Sequence, residues 1–390
     1  MLRWFWLVLL CLLACDDKSD VLSWKAALPG ASVSTPLVTL DFIALGTDKG
    51  VVILNRGGTI RCTFESAGQV IAAPKTDGRS IFFGSTNYMA YAISSQCEER
   101  WSISTGDRIK SDPLIHKGVV YFSSYDGAVY ARNAKSGEAI WTFPERITME
   151  SDSSPFEEAV EEDLDSPHPV EIKKRGRRKN RKVPPPRVGA FSYSSPTIRN
   201  NLLFIGNLDN RLYAVDIRTG RMEWRFKTDA PITSSPREYE GNIYFGSNDG
   251  NVYGIDTRKR KRLWKSKTQY WVNSSAAIEE DTLYIGSNDK NLYALNRKTG
   301  HALWSFRARG SVVAAPLIYK DLVITAGSTD DGQVYAVHKS TGKLAWQYPT
   351  EGKVDSDPVL QGEELFVSSA DGHLYAFDIN RIYGVTRGSP

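Results

Sequence analysis

Histidine and cysteine, two common metal ligands, are scarce in this chain of 390 residues, which has 5 histidines and 4 cysteines. The histidines are scattered over positions 116, 168, 301, 338 and 373, and none is spaced from another histidine or a cysteine as metal ligands usually are. A Gly-x-Ser-x-Gly motif, a phosphate loop and a dinucleotide fingerprint are also missing. We therefore expect no catalytic residue, no metal site and no cofactor.

The chain after residue 20 also lacks a convincing helical period. Short runs of apolar and β-branched residues are separated by turn signals instead, as where Asn248-Asp249-Gly250 lies between two strand-like runs. Asn-Gly and Asp-Gly pairs favour hairpins because both central turn positions need a positive φ. The sequence therefore predicts an all-β fold.

One phrase recurs along most of the chain, and its clearest copy, residues 212–224, reads Leu-Tyr-Ala-Val-Asp-x-x-Thr-Gly-x-x-x-Trp. Trp224, Trp264 and Trp304 close three copies at intervals of forty residues. A small polar pair, usually followed by proline, comes shortly after each tryptophan, and both landmarks count to eight. A unit of ~40 residues built from short strands cannot bury its own core and must stack on copies of itself.

Eight such units predict a single eight-bladed β-propeller of four-stranded blades over residues 21–384, which we expect to be monomeric. Trp24 has no phrase before it, whereas the last copy, 374–378, has no tryptophan after it. We therefore expect residues 21–27 to supply the outer strand of the last blade and close the ring. The repeated aromatic residues are interpreted as packing. The repeated aspartates are interpreted as turn residues rather than metal ligands (Asp126, Asp209, Asp249, Asp289 and Asp371).

Residues 1–14 contain one arginine and an apolar run that is too short to span a bilayer as a mature helix. They predict a secretory signal peptide. Leu12-Leu13-Ala14-Cys15 resembles the bacterial lipobox, which implies that Cys15 is lipid-modified and anchors the protein to a membrane through a leash at 15–20. A cleaved signal with a soluble product is the alternative.

The interval from Trp141 to Trp224 is about twice the others, which indicates an insertion at residues 145–188. Its acidic first half and basic second half bury little apolar area, so we expect disorder. A second basic run, 258–262, lies in a turn of blade 5, on the face where the leash should begin. A periplasmic location argues against nucleic acid as a partner. The candidate contacts to a partner or a membrane are Lys173, Lys174, Arg175, Arg177, Arg178, Lys179, Arg181, Lys182, Arg258, Lys259, Arg260, Lys261 and Arg262.

Two further cysteines lie in neighbouring blades. Cys62 occupies the tryptophan position of blade 1, and Cys97 lies near a turn of blade 2. We expect Cys62 to be a small buried apolar side chain. A disulfide with Cys97, which the periplasm would permit, is the alternative.

The repeated phrase resembles the repeat of PQQ-type propellers rather than the WD40 repeat, whose Gly-His and Trp-Asp signatures are absent. Quinoprotein dehydrogenases share this repeat, but they carry an adjacent cysteine pair and calcium ligands that have no counterpart here. Length, lipobox and blade count instead resemble the BamB family of lipoproteins, which act in outer-membrane β-barrel assembly without a cofactor.

The resemblance to BamB implies a non-enzymatic, periplasm-facing scaffold of the bacterial cell envelope that binds protein partners through its loops. It also implies an outer-membrane location, whereas Asp16 resembles a signal for retention in the inner membrane. Two alternatives stay open. One is a PQQ-dependent dehydrogenase-type cofactor binder, and the other is an envelope sensor anchored in the inner membrane.

Overall fold

The computed structural model describes residues 21–144, 189, 191, 193–328 and 331–388. It contains eight antiparallel sheets of four strands each, arranged as the blades of a ring. The predicted eight-bladed propeller is therefore confirmed. The signal peptide and leash, with Cys15, and the predicted insertion at 145–188 lie outside the described residues.

Blades 1 to 7 each consist of four consecutive strands, from the innermost to the outermost. Blade 1 contains β2 (Leu37–Val38), β3 (Phe42–Thr47), β4 (Gly50–Asn55) and β5 (Ile60–Glu65), and blade 2 contains β6 (Lys75–Thr76), β7 (Ile81–Gly84), β8 (Met89–Ile93) and β9 (Glu99–Ser104). Blade 3 contains β10 (Leu114–His116), β11 (Val119–Ser123), β12 (Val129–Asn133) and β13 (Ala139–Phe143), and blade 4 contains β14 (Thr197–Arg199), β15 (Leu202–Gly206), β16 (Arg211–Asp216) and β17 (Met222–Lys227). Blade 5 contains β18 (Arg237–Tyr239), β19 (Asn242–Gly246), β20 (Asn251–Asp256) and β21 (Lys261–Lys267), and blade 6 contains β22 (Ala277–Glu279), β23 (Thr282–Gly286), β24 (Asn291–Asn296) and β25 (Ala302–Arg307). Blade 7 contains β26 (Leu317–Tyr319), β27 (Leu322–Ala326), β28 (Gln333–His338) and β29 (Leu344–Pro349), and blade 8 contains β30 (Val359–Gln361), β31 (Glu364–Ser369), β32 (His373–Asp378) and, as its outer strand, β1 (Leu22–Ala27).

The second and third strands of each blade form the core. In β19, Ile243, Tyr244 and Phe245 are all fully buried. Both faces of a blade pack against neighbouring blades, so these strands are continuous apolar runs rather than alternating ones. This packing explains why the strand-like runs of the sequence show little alternation.

The ring is closed by the first strand of the described chain. β1 pairs antiparallel with β32, so that Trp24 lies opposite Ala376 and Lys25 lies opposite Tyr375. Trp24 Nε1 also donates a hydrogen bond to Glu364 Oε1 at 3.2 Å. Residues 21–27 therefore complete blade 8, as the displaced tryptophan predicted.

In most blades the repeated tryptophan packs against the next blade. Trp264 of blade 5 is buried and packs on Gly300, in the outer turn of blade 6. A Cβ atom on Gly300 would come within 2.6 Å of the Trp264 ring, and Gly300 has a φ of +74°, which glycine adopts without strain. Trp264 Nε1 donates a hydrogen bond to the carbonyl oxygen of Arg297, in the same turn, at 2.8 Å. The glycine and the tryptophan of the phrase are thus two halves of one contact between blades.

A β-bulge precedes each of these tryptophans. Gly254 pairs with Trp264 and Ile255 pairs with Arg262, so Leu263 has no partner on β20. The same irregularity occurs at the corresponding point of all eight blades. The bulge bends the outer strand and leaves its extra residue unpaired at the rim of the propeller.

Blades 1 and 2 are joined covalently where other blades have the Trp–Gly contact. Cys62 lies on β5 in the tryptophan position, and Cys97 takes the glycine position of blade 2 with a φ of +63°. The structure joins the two sulfur atoms in a disulfide, with 6.0 Å between the Cα atoms. The expectation that Cys62 is an isolated apolar side chain is therefore wrong, and the alternative describes the structure.

A helix follows the last strand, which the sequence did not predict. α1 (Ile379–Gly388) begins directly after β32, and Asp378 caps its first turn by accepting two backbone N–H bonds at 2.9 and 3.1 Å. Ile379 and Ile382 are buried in a cluster that includes Trp346. The all-strand expectation fails here because two buried isoleucines form too short a pattern to show a period, and packing stabilises the helix.

Candidate functional site

The two faces of the propeller differ in the turns that they carry. The upper face carries the turns between second and third strands and the connections between blades, and the lower face carries the remaining turns. β1 begins on the lower face, because Leu22 pairs with Phe377 near the end of β32. The predicted insertion interrupts the connection from Phe143 to Thr197, whose two ends both lie on the upper face.

Aspartates in the upper-face turns tie neighbouring loops together. Asp249 accepts hydrogen bonds from the N–H of Asn251 (2.9 Å), from the hydroxyl of Tyr253 (2.6 Å) and from the N–H of Asp229 (3.2 Å), which belongs to the preceding connection. Burial, and then the hydrogen bond to Asp249, raise the pKa of Tyr253. These contacts give the repeated aspartates a role in holding the loops. The corresponding pairs are Asp126–Tyr130, Asp209–Tyr213, Asp289–Tyr293, Asp331–Tyr335 and Asp371–Tyr375.

Hydrogen bonds link the blades around the central channel, where each innermost strand begins. Ser195 N donates to Ser235 Oγ at 2.9 Å, and Ser235 N donates to Ser275 Oγ at 3.2 Å. Two blades have an alanine at this position, Ala73 and Ala315. The backbone N–H of each alanine donates to an aspartate of the next blade. The other links are Ala73 N to Asp112 Oδ1 (2.8 Å), Asp112 N to Ser195 Oγ (2.9 Å), Ala315 N to Asp357 Oδ1 (2.6 Å) and Asp357 N to Thr35 Oγ1 (2.9 Å).

A funnel opens from this ring to the upper face, with a cavity volume of about 630 Å³. Thr233 Oγ1 lies 2.9 Å from the Oδ1 atoms of both Asn248 and Asn273 in its wall. Lys353 and Asp355 form an ion pair at 2.7 Å. A concave site of this size holds a small molecule or a loop of a partner protein. The other polar and charged lining residues include Lys110, Asp112, Asn288 and Asp357.

Aromatic side chains stand at the mouth of the funnel. Tyr193 and Trp271 are 48% and 45% exposed, and Tyr270 stacks on Trp271 with the ring centroids 5.2 Å apart. Lys110 Nζ lies between two rings, 5.0 Å from the centroid of Tyr125 and 5.1 Å from that of Tyr193. Exposed Trp and Tyr with nearby cations are typical of the side chains that contribute most energy at protein interfaces.

One carboxyl group at the base of the funnel has a perturbed pKa. Burial raises the pKa of Asp357 to about 6, and the neighbouring charge of Asp112 acts in the same direction. The hydrogen bond from Ala315 N and the charges of Arg237 and Lys75 lower the pKa, but they do not offset burial. Asp357 therefore stays protonated in mildly acidic solution and ionises only as the pH rises through about 6.

Asp357→Asn is expected to flatten the dependence of stability on pH. A carboxyl group whose folded pKa exceeds its unfolded pKa stabilises the fold below about pH 4, and this contribution is lost as the pH rises through about 6. The wild type should thus lose up to ~3 kcal/mol relative to the variant between pH 4 and 7. Urea unfolding of both proteins across this range measures the difference, and parallel profiles would contradict the assignment.

At this site, the described residues lack the calcium ligands and the adjacent cysteine pair that the resemblance to PQQ-type dehydrogenases implies. Among the described residues, no three His, Cys, Asp or Glu side chains are grouped so that they could hold a metal ion. Asp112 already contacts Lys75 at 3.0 Å and the Ala73 N–H. The described cysteines, Cys62 and Cys97, are bonded to each other between blades 1 and 2 and are not adjacent in sequence.

Of the basic residues predicted as contacts, those that the structure describes do not lie at the funnel. The run 258–262 lies on the lower face, in the turn between β20 and β21. Lys173 to Lys182 and Cys15 lie outside the described residues. The funnel residues were missed as a site, although the repeated small polar pairs, such as Ser194-Ser195 and Ser234-Ser235, gave their positions. Only the closed ring shows that these pairs surround one channel. Within the described part of the chain, no helix has the length and hydropathy needed to cross a bilayer.

Two curated enzymes are similar to parts of the chain. The 1-butanol dehydrogenase (cytochrome c) of Thauera butanivorans is 25% identical over 149 residues, which are 36% of this chain and 17% of the enzyme. The lupanine 17-hydroxylase [cytochrome c] of a Pseudomonas species is 26% identical over 159 residues, 35% of this chain and 23% of the enzyme. The chain thus spans less than a quarter of the length of either relative.

Solved structures of similar fold include BamB from Moraxella catarrhalis, with a TM-score of 0.70 and 15% identity over 92% of this chain and 99% of that chain. The computationally designed Ika8 protein has a TM-score of 0.71 and 14% identity over 91% of this chain and 99% of that chain. Sqt1 of Saccharomyces cerevisiae has a TM-score of 0.71 and 12% identity, covering 92% of this chain and 98% of that chain. At these identities, the three structures support the propeller fold alone.

A model of one protein family matches most of the chain. The family is described as outer membrane protein assembly factor BamB, and the matched residues are 47–164, 179–311, 262–330 and 321–381. These matches include well over half of the sequence and extend over all eight blades. The chain therefore belongs to the outer membrane protein assembly factor BamB family.

Proposed function

We propose that this protein is a non-enzymatic scaffold that binds protein partners through the funnel on its upper face. The observation that carries the proposal is the group of exposed aromatic side chains at the funnel mouth, Tyr193, Tyr270 and Trp271. Such side chains bury a large area at little entropic cost when a partner covers them. Among the described residues, those that line the funnel include neither histidine nor cysteine.

The family description supports a narrower role, that of an accessory factor in the assembly of outer-membrane β-barrel proteins. In this role the protein is an envelope lipoprotein, anchored through a lipidated Cys15 and facing the periplasm. The partner is then the barrel-assembly complex, and the membrane is the outer one. Asp16 favours the inner membrane instead, where a role as an envelope sensor would take the place of assembly.

Trp271→Ala is expected to weaken the binding of a purified barrel-assembly complex by at least about thirtyfold, the factor that corresponds to ~2 kcal/mol. The physical reason is the loss of a large exposed ring from the centre of the contact. Titration of the complex against the full chain measures the change. Tyr88→Ala is the matched control, because Tyr88 is 49% exposed in an upper-face turn outside the funnel. Equal affinities of wild type and Trp271→Ala would contradict the proposal.

A quinoprotein-type dehydrogenase is the second candidate, and the two similar enzymes favour it. It predicts that the purified chain takes up pyrroloquinoline quinone in the presence of calcium and then reduces a dye with an alcohol substrate. The scaffold proposal predicts neither uptake nor dye reduction. Stoichiometric uptake followed by turnover would replace the scaffold function by this enzymatic one.

A further inference from the structure

The lower face carries a strongly basic turn in blade 5. Arg258, Lys259, Arg260, Lys261 and Arg262 follow one another there, and all five are exposed. Asp256 is 4.0 Å from Lys259, and Glu223 is 3.8 Å from Arg260. Five consecutive exposed basic side chains give this turn a high local density of positive charge.

This turn also departs from the repeated contact between blades. Arg260, with a φ of +55°, stands where other blades have the glycine that packs on the preceding tryptophan. Trp224, the tryptophan concerned, is buried, and its Nε1 atom has no hydrogen-bond partner. Four of the other described tryptophans at this position of the repeat, at 101, 141, 264 and 304, each donate to a backbone carbonyl of the next blade. Blade packing alone therefore gives no reason for the basic sequence of this turn.

Exposed leucines lie beside the basic side chains. Leu263 and Leu303 are the unpaired bulge residues of blades 5 and 6, and Leu344 begins the outer strand of blade 7. Their exposed fractions are 44%, 54% and 46%. Basic turn residues accompany them in blades 6 and 7, where Lys343 is exposed and Lys298 pairs with Asp281 at 2.8 Å. Arg258–Leu263, Lys298, Leu303, Lys343 and Leu344 together form what we call the basic–leucine edge.

The basic–leucine edge is continuous with the place where the described chain begins. It runs along blades 5, 6 and 7, and β1, which begins on the same lower face, is the outer strand of blade 8. The residues before β1 include the apolar run 1–14 and Cys15. A membrane that holds this part of the chain would therefore lie on the side of the propeller that carries the edge.

We infer that the basic–leucine edge docks on the surface of an anionic lipid bilayer. Lys and Arg side chains are attracted to the negative surface potential of such a bilayer, and leucine side chains gain by entering the boundary between headgroups and acyl chains. Long basic side chains keep their charge among the headgroups while their stems cover apolar surface. Nucleic acid is disfavoured as the occupant, because single strands are held mainly by aromatic stacking, which this edge does not offer. The docked edge orients the funnel away from the bilayer.

This inference rests on the proposed function only in taking the protein to lie in the cell envelope. Lysine footprinting tests membrane docking separately from partner binding. The full chain is reconstituted in vesicles of phosphatidylcholine, with or without anionic phosphatidylglycerol, and treated with a neutral acetylating reagent. Lys259, Lys261 and Lys343 should react several-fold more slowly on the anionic vesicles. Lys227 and Lys267, exposed at the upper ends of β17 and β21, are internal controls that should react equally on both.

Two variants with equal charge change separate docking from simple tethering. Lys259→Glu/Lys261→Glu should abolish the protection of Lys343 on anionic vesicles, whereas Lys227→Glu/Lys267→Glu should preserve it. Equal reactivity of Lys343 on the two kinds of vesicle would overturn the inference. Protection of Lys227 and Lys267 in place of the edge lysines would also overturn it. So would protection of the edge lysines by an added acidic protein but not by the anionic vesicles. A loss of partner binding through the funnel would leave this footprint unchanged.

Discussion

Trp264→Ala is expected to lower the free energy of unfolding by about 3–5 kcal/mol, the range for removal of a buried tryptophan. The ring fills the space above Gly300 and donates a hydrogen bond to the Arg297 carbonyl oxygen, so its loss opens a cavity between blades 5 and 6. Urea unfolding followed by far-ultraviolet circular dichroism measures the change.

Trp271→Ala is the control for this experiment. Trp271 lies on the upper face of the same pair of blades and is 45% exposed, so its replacement should cost well under 1 kcal/mol. Trp264→Ala should therefore have the larger effect on stability, and Trp271→Ala should have the larger effect on partner binding. A similar loss of stability in both would contradict the assignment of Trp264 to packing and of Trp271 to recognition.

The Cys62→Ala/Cys97→Ala variant is expected to lose about 3–4 kcal/mol of stability, as the chain-entropy model gives for a crosslink across 35 residues. The disulfide stands where most other blades have a Trp–Gly contact, so the variant has neither link between blades 1 and 2. Thermal unfolding with and without a reductant measures the effect.

The reductant also supplies the control for the disulfide. It should lower the midpoint of the wild type towards that of the double variant and leave the variant unchanged. Peptide mapping under non-reducing conditions should recover Cys62 linked to Cys97. Free thiols at both positions, or identical midpoints for wild type and variant, would contradict the bond.

The fold could be predicted because one contact repeats at a fixed interval. Trp264 packs on Gly300 in the next blade, and both residues are visible in the sequence as parts of the same phrase. The displaced Trp24 gave the strand that closes the ring for the same reason. A periodic sequence reports interactions between neighbouring units, and a propeller consists mainly of such interactions.

The positions of the two cysteines in the repeat also favour the disulfide, which the sequence analysis gave only as the alternative. Cys97 stands four residues before Trp101, as Gly300 stands four residues before Trp304. With Cys62 in the tryptophan position, the two cysteines occupy the two halves of the contact between blades. Aligning the glycine positions as well as the tryptophan positions would have brought them together.

The candidate site could be predicted only in part, because it depends on contacts around the whole ring. Ser195, Ser235 and Ser275 belong to a landmark that was counted, but their hydrogen bonds run from blade to blade. The pKa of Asp357 arises from burial at the base of the funnel, which no local pattern reports. Trp271 lies in a connection and outside the repeated phrase, so its exposure at the funnel mouth had no sequence signal.

Affinity purification of the tagged full chain from gently solubilised native membranes tests the central claim most directly. The barrel-assembly subunits should co-elute with the wild type and with Tyr88→Ala, and they should be lost from Trp271→Ala. Mass spectrometry identifies the co-eluting proteins. Recovery of inner-membrane proteins alone, with no barrel-assembly subunit, would contradict the assembly role.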